Sequence, residues 1–120
     1  MIEEKLPKTT EKPWGHELLY ALTPFYAGKI IYVKKGGRLS LQYHVEKDES
    51  MYLLEGKIKL SLQPQNGILK ETTETPGWSC HLPPTTIHRI EALEDSVILE
   101  VSTPQLDDVV RVKDDYGRAK

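Results

Sequence analysis

Arg38-Leu39-Ser40-Leu41-Gln42-Tyr43-His44 decides how this chain folds. Alternate side chains of a strand share a face. Leu39, Leu41 and Tyr43 then line one face, and Arg38, Ser40, Gln42 and His44 line the other. A polar face of this kind is ordinary where it meets solvent. Two features further along set it apart. Glu49 lies five residues beyond His44, across a short polar loop and at the head of the next strand. His88 follows the Pro83-Pro84-Thr85-Thr86 turn and begins another strand.

The surrounding chain reads as many short strands. Leu18 to Tyr20, Lys29 to Lys34, Met51 to Leu54, Lys57 to Leu62 and Val97 to Val101 are short, apolar or alternating, and rich in β-formers. Lys57-Ile58-Lys59-Leu60-Ser61-Leu62 alternates cleanly, with one wet face and one core face. Pro24, Gly36-Gly37, Glu55-Gly56, Gln65-Asn66-Gly67, Pro76-Gly77 and Pro83-Pro84 punctuate them as turns. No window carries a helical period. Roughly ten short strands predict an all-β sandwich or small barrel. Residues 1–11 read as a flexible lead-in, and 112–120 as a charged peripheral tail.

Size and charge exclude several functions. The 120 residues make one domain, 1–120. Lys and Arg total 16 against 18 Asp and Glu, a net charge of -2. That balance argues against nucleic acid and anionic membranes as partners. No apolar run approaches the roughly 20 residues of a membrane span. The acidic start, Met1-Ile2-Glu3-Glu4-Lys5, does not read as a signal peptide. Cys80 is the lone cysteine, which excludes an internal disulfide and a Cys-cluster zinc site. A cytoplasmic location follows as the default.

The spacing of the polar residues is specific. From Gly36 the chain runs five residues to Gln42, one to His44, four to Glu49 and six to Gly56. From Gly77 it runs five residues to Pro83 and four to His88. These two stretches resemble the first and second cupin motifs, with Gln42 in place of the first motif's leading His. The resemblance implies a single cupin jelly-roll barrel. A narrower resemblance rests on Lys12-Pro13-Trp14-Gly15, on Arg38 to Gln42, on Leu82 to Ile90, and on Asp107 to Arg111 with Asp114 to Arg118. Together they look like the C-terminal cupin domain of type II mannose-6-phosphate isomerases, which are often fused to a mannose-1-phosphate guanylyltransferase.

That resemblance implies a metal site made of Gln42, His44, Glu49 and His88. One amide, two imidazoles and one carboxylate suit a divalent ion, with Zn foremost and Fe, Ni, Mn or Co as alternatives. It also implies an aldose-ketose isomerisation of a sugar phosphate through an enediolate, with a metal as Lewis acid and a base moving a proton between C1 and C2. Glu46, Asp48 and His81 are candidate bases, left undecided. Arg38, sharing strand parity with Gln42 and His44, is a candidate substrate and catalytic residue at the barrel mouth, while Arg89 has the outward parity. Lys47 and Arg111 are further candidates for holding the substrate, and Lys47 and Glu49 are expected to take part in catalysis.

Two departures from the family pattern stand out. No nucleotidyltransferase sequence precedes the cupin here, so guanylyl transfer is not expected. The family's His-His-Arg-Ala-Glu loop reads Val45-Glu46-Lys47-Asp48-Glu49, so Lys47 replaces an Arg. A guanidinium grips oxyanions in a fixed fork, whereas an ammonium is a point charge. The competing readings are a non-catalytic metal- or sugar-binding module, and another metal-dependent cupin enzyme such as a dioxygenase. Gln42 rules out a three-His oxygenase site. A homodimer is expected from the resemblance and from the need to cover strand edges. Cys80, Trp14 and Trp78 read as packing residues, and Lys34-Lys35 and Asp107-Asp108 as solvated charge.

Overall fold

The computed structural model describes residues 5–119. Eleven strands and no helix make up the described chain. They are β1 (Lys8–Lys12), β2 (Gly15–Leu22), β3 (Ala27–Val33), β4 (Leu41–Tyr43), β5 (Glu49–Glu55), β6 (Ile58–Gln63), β7 (Lys70–Glu74), β8 (Ser79–Leu82), β9 (Ile87–Ala92), β10 (Ser96–Ser102) and β11 (Val110–Lys113). Six form one sheet in the order β1-β2-β3-β10-β5-β8, and five form the other, β11-β4-β9-β6-β7. Every pairing is antiparallel. The two sheets face each other as a jelly roll, the all-β architecture expected from the strand pattern.

Burial follows the period of two. In β10, Ser96, Ile98, Glu100 and Ser102 point inward, and in β5, Glu49, Met51 and Leu53 do the same. Ile31, Leu53, Ile58, Leu82, Ile90 and Ile98 fill the space between the sheets, joined by Trp14, Val33 and Leu39. Each fully buried aliphatic side chain contributes about 1.5–3 kcal/mol. The β5–β6 connection, which passes from the larger sheet to the smaller, turns at Gly56, whose φ is +97°. A Cβ there would stand 2.2 Å from Ser96 Oγ, so only glycine fits.

One segment differs from expectation. Lys8–Lys12 is not loose: it pairs along its whole length with β2 as the sheet's edge. Its Lys-Thr-Thr-Glu-Lys sequence is exposed and carries no apolar alternation, which hid it. Residues 1–4 of the same lead-in lie outside the described residues. The tail is tied down at several points. Val110 and Arg111 pair with Tyr43 and Gln42, Asp115 binds Arg38, and Arg118 closes on Asp114.

Candidate metal centre

Three expected ligands come together. His44, just past the end of β4, Glu49, the first residue of β5, and His88, in β9, offer one donor atom each within 4.8 Å of one another. All three are buried. Antiparallel pairing puts His88 directly across from Gln42, and the alternation of β5 turns Glu49 inward with Met51 and Leu53.

The hydrogen bonds fix the imidazole tautomers. His44 Nδ1 lies 2.5 Å from the Asp108 carbonyl, and His88 Nδ1 lies 2.9 Å from the Thr86 carbonyl. A carbonyl only accepts, so each Nδ1 must donate its proton. Each Nε2 is then left as a lone pair, and both are buried without a hydrogen-bond partner. Both Glu49 oxygens are orphaned in the same way. His44 Nε2 and Glu49 Oε2 stand only 2.6 Å apart. Two acceptors that close need a proton or a cation between them. Buried orphans of this kind are rare and call for an explanation. A divalent metal would supply it, because an imidazole held by its other nitrogen is how proteins present such a ligand.

Electrostatics favour the same occupant. Burial pushes the Glu49 carboxyl up, but contact with His44 and the Lys47 ammonium outweigh it and hold it at about 2. Burial pulls His88 below its ordinary value, against the pull of Glu49. Glu49 is thus favoured as the anionic carboxylate and His88 as the neutral imidazole, the protonation states a metal requires.

The other expected site residues lie as follows. Gln42 faces the same way as its register partner His88, but its Oε1 accepts a 2.7 Å hydrogen bond from the Ser40 hydroxyl. Arg111 is the register partner of Gln42 on the far side. A row Arg111–Gln42–His88–Leu62 thus crosses the smaller sheet on its inner face. Arg111 Nε is buried and unpartnered. With Asp107, Val109, Val110 and Arg118 it lines a cavity of about 390 Å³. A second cavity, about 600 Å³, is lined by Leu60, Leu62, Trp78 and Cys80, with Lys70 and Glu74 also on its wall.

Arg38 and Lys47 occupy different places from those expected. Only Leu41–Tyr43 of the opening stretch is regular strand, and Arg38 joins the sheet through a single bridge to Glu91. Its guanidinium grips Asp115 through two bonds of 2.6 and 2.8 Å, on the side of Arg89 rather than of the triad. Lys47 is 4% exposed, with its Nζ 3.2 Å from Glu100 Oε2 and 3.7 Å from Glu49 Oε2. It is an interior ion-pair partner rather than a cation open to substrate. Of the candidate bases, His81 and Asp48 pair with each other at 2.6 Å on the exposed side, and Glu46 is exposed. None of the three joins the triad.

Asp108 was read as solvated charge and is instead a keystone of the site. Its carboxylate accepts the backbone N–H groups of Val45, Glu46 and Lys47 at 2.9, 2.7 and 2.9 Å. These bonds, that of Val45 foremost, hold its carboxyl below the ordinary range. Its carbonyl also orients His44. One residue of the loop before β11 therefore shapes the whole ligand loop between His44 and Glu49.

A jelly roll with a buried His-Glu-His cluster at its centre defines a cupin domain. The family model described as mannose-6-phosphate isomerase C-terminal matches residues 2–114, and the chain belongs to that family. It is 30% identical over 121 residues to a mannose-1-phosphate guanylyltransferase of Klebsiella pneumoniae, a match covering 97% of this chain and 25% of the relative. The chain thus spans about a quarter of that protein's length. KdgF from Halomonas sp. shares the fold at 21% identity, with a TM-score of 0.70 over 83% of this chain and 90% of its own. Oxalate decarboxylase of Bacillus subtilis, a protein with Mn(II) centres, does so at 19% identity and a TM-score of 0.75, over 88% of this chain and 30% of its own.

Proposed function

We propose that this chain is a metal-dependent sugar-phosphate isomerase of the mannose-6-phosphate type. The observation that carries the reading is the set of four orphaned donor atoms, His44 Nε2, His88 Nε2 and both Glu49 oxygens, enclosed in a domain of the isomerase family. His44, Glu49 and His88 would hold one divalent ion, with Gln42 beside them. Bound there, the ion supplies a Lewis acid for the sugar's carbonyl and hydroxyl oxygens.

The chain's own residues would do the rest. Arg111 carries the unpartnered guanidinium nitrogen in the row that includes His88, and it suits a phosphate oxygen. A cavity of about 600 Å³ borders Leu62, the register partner of His88, and has room for a small ligand. Turnover of mannose-6-phosphate to fructose-6-phosphate in a coupled assay tests the reading. Activity that chelator removes and divalent metal restores supports it; a metal-loaded protein without turnover contradicts it.

One observation favours a second reading, a metal- and sugar-binding module without catalysis. Lys47 and Arg38 are committed to carboxylates, and Glu46, Asp48 and His81 stand away from the triad, so none of the expected bases faces it. Saturable binding of the sugar phosphate without turnover would select it.

The assembly we propose is a homodimer in the cytoplasm. Leu18, Ile30, Leu99 and Tyr52 form one register row across the outer face of the larger sheet, with Leu54 and Val101 exposed beside it. An apolar sheet face of this kind fits a second copy of itself.

A further inference from the structure

We propose that Lys47 and Glu100 form a buried positioning pair for the metal centre: Lys47 clamps Glu49, and Glu100 cancels the charge of Lys47 so that a cation can bind next to an ammonium. The inference rests on the metal reading of His44, Glu49 and His88, and adds to it two residues whose ion pairs are with carboxylates and with each other, not with the imidazoles.

The geometry is specific. Lys47 and Glu100 are each 4% exposed, and charged side chains that deep are almost always paired. Lys47 reaches Glu49 through Oε2, the same oxygen that faces His44 Nε2 at 2.6 Å. Its ammonium therefore sets where that oxygen sits. The Lys47 backbone is fixed independently, by its amide bond to Asp108, so the clamp is anchored at both ends. Glu100 comes from β10, 53 residues away in sequence, and bonds Lys47 Nζ at 3.2 Å. It points inward, between Ile98 and Ser102. Across the sheet it stands opposite Lys29, which is itself paired with Glu17 at 3.0 Å.

Charge counting shows why both members are needed. With all three groups ionised, Lys47, Glu49 and Glu100 sum to one negative charge, and a divalent ion brings the cluster to one positive. Without Glu100, the same ion would leave two positive charges in an interior that solvates them poorly. Without Lys47, two carboxylates would share the cavity and nothing would hold Glu49 in place. Partners of metal ligands typically change affinity by 10–100-fold when removed.

The test is zinc affinity by competition with a chromogenic chelator, together with the visible absorption spectrum of the Co²⁺-loaded protein. Glu100→Gln should weaken zinc binding about 10–100-fold. Lys47→Met/Glu100→Gln should recover most of that loss, because the uncompensated ammonium is gone, and its Co²⁺ spectrum should differ from wild type. Lys47→Arg should keep the wild-type affinity and spectrum. Should Glu100→Gln fail to fold, Lys47→Met/Glu100→Leu replaces the pair with apolar groups, a change interiors tolerate; its Co²⁺ spectrum should also be altered. Wild-type zinc affinity in Glu100→Gln, or a wild-type Co²⁺ spectrum in either double variant, would overturn the inference and reduce the pair to a structural ion pair. Wild-type protein that takes up no zinc at all would instead sink the metal reading beneath it.

Discussion

His44 Nε2 and Glu49 Oε2 stand 2.6 Å apart in the interior, each without a hydrogen-bond partner. They come from the two ends of a four-residue loop whose amides are gathered by one carboxylate, that of Asp108. The loop is thus shaped from outside, and the ligand atoms are free to face a third party.

Removing a ligand should empty the centre without unfolding the domain. His88→Ala is expected to lower metal content from about one ion per chain to near zero, measured by elemental analysis after gel filtration. The β-sheet circular dichroism should persist, since the core of Ile31, Leu53, Ile58, Ile90 and Ile98 is apolar and complete. Full metal occupancy in this variant would mean that His88 is not a ligand.

Chelation should destabilise without denaturing. A ligand present at a hundred times its dissociation constant stabilises the folded state by about 2.7 kcal/mol. In a domain of this size that corresponds to a fall in Tm of roughly 10 °C on adding EDTA, with the far-ultraviolet spectrum retained at room temperature. Loss of the spectrum at 25 °C would show that the metal is the folding energy, as in a zinc finger.

The core itself sets the overall stability. Leu53 has no exposed surface and packs between the sheets. Leu53→Ala should cost about 2–5 kcal/mol, read from urea unfolding midpoints at unchanged slope. A cost under 1 kcal/mol would mean that the interior is looser than its burial indicates.

Much of this was legible in the sequence. The strands β3, β5, β6 and β10 announce themselves by apolar alternation, and the spacing around Gln42, His44, Glu49 and His88 marks the centre. What was not legible depends on distant partners. Arg38 turns away because its partner Asp115 lies 77 residues on, and Lys47 is buried because Glu100 lies 53 residues on. A usable signal existed for Glu100, a carboxylate at an inward position of β10. None existed for Asp108, whose neighbours are charged and whose role depends on how the loop before β11 folds back over Val45–Lys47. Edge strand β1 escaped because an exposed edge needs no apolar face.

Acid should loosen the tail. Hydrogen bonds from the Arg118 side chain and backbone, helped by its charge, hold the Asp114 carboxyl at about 2, below its ordinary 3.8. A depressed carboxyl contributes stability that is present above its unfolded value and lost as pH falls through the folded one. The Arg118 Nε–H resonance should therefore hold its position above about pH 4 and shift towards its free value as pH falls towards 2. In Asp114→Asn the resonance should sit near the free value throughout. A shift in wild type already complete at pH 4 would contradict the assignment.

The most direct measurement is anomalous diffraction at the metal edge from crystals grown with one equivalent of zinc. The expected result is a single strong peak about 2.0–2.2 Å from His44 Nε2, His88 Nε2 and a Glu49 oxygen. Crystals that show no peak there, with zinc held only at surface sites such as His81 and Asp48, would contradict the metal centre and the function built on it.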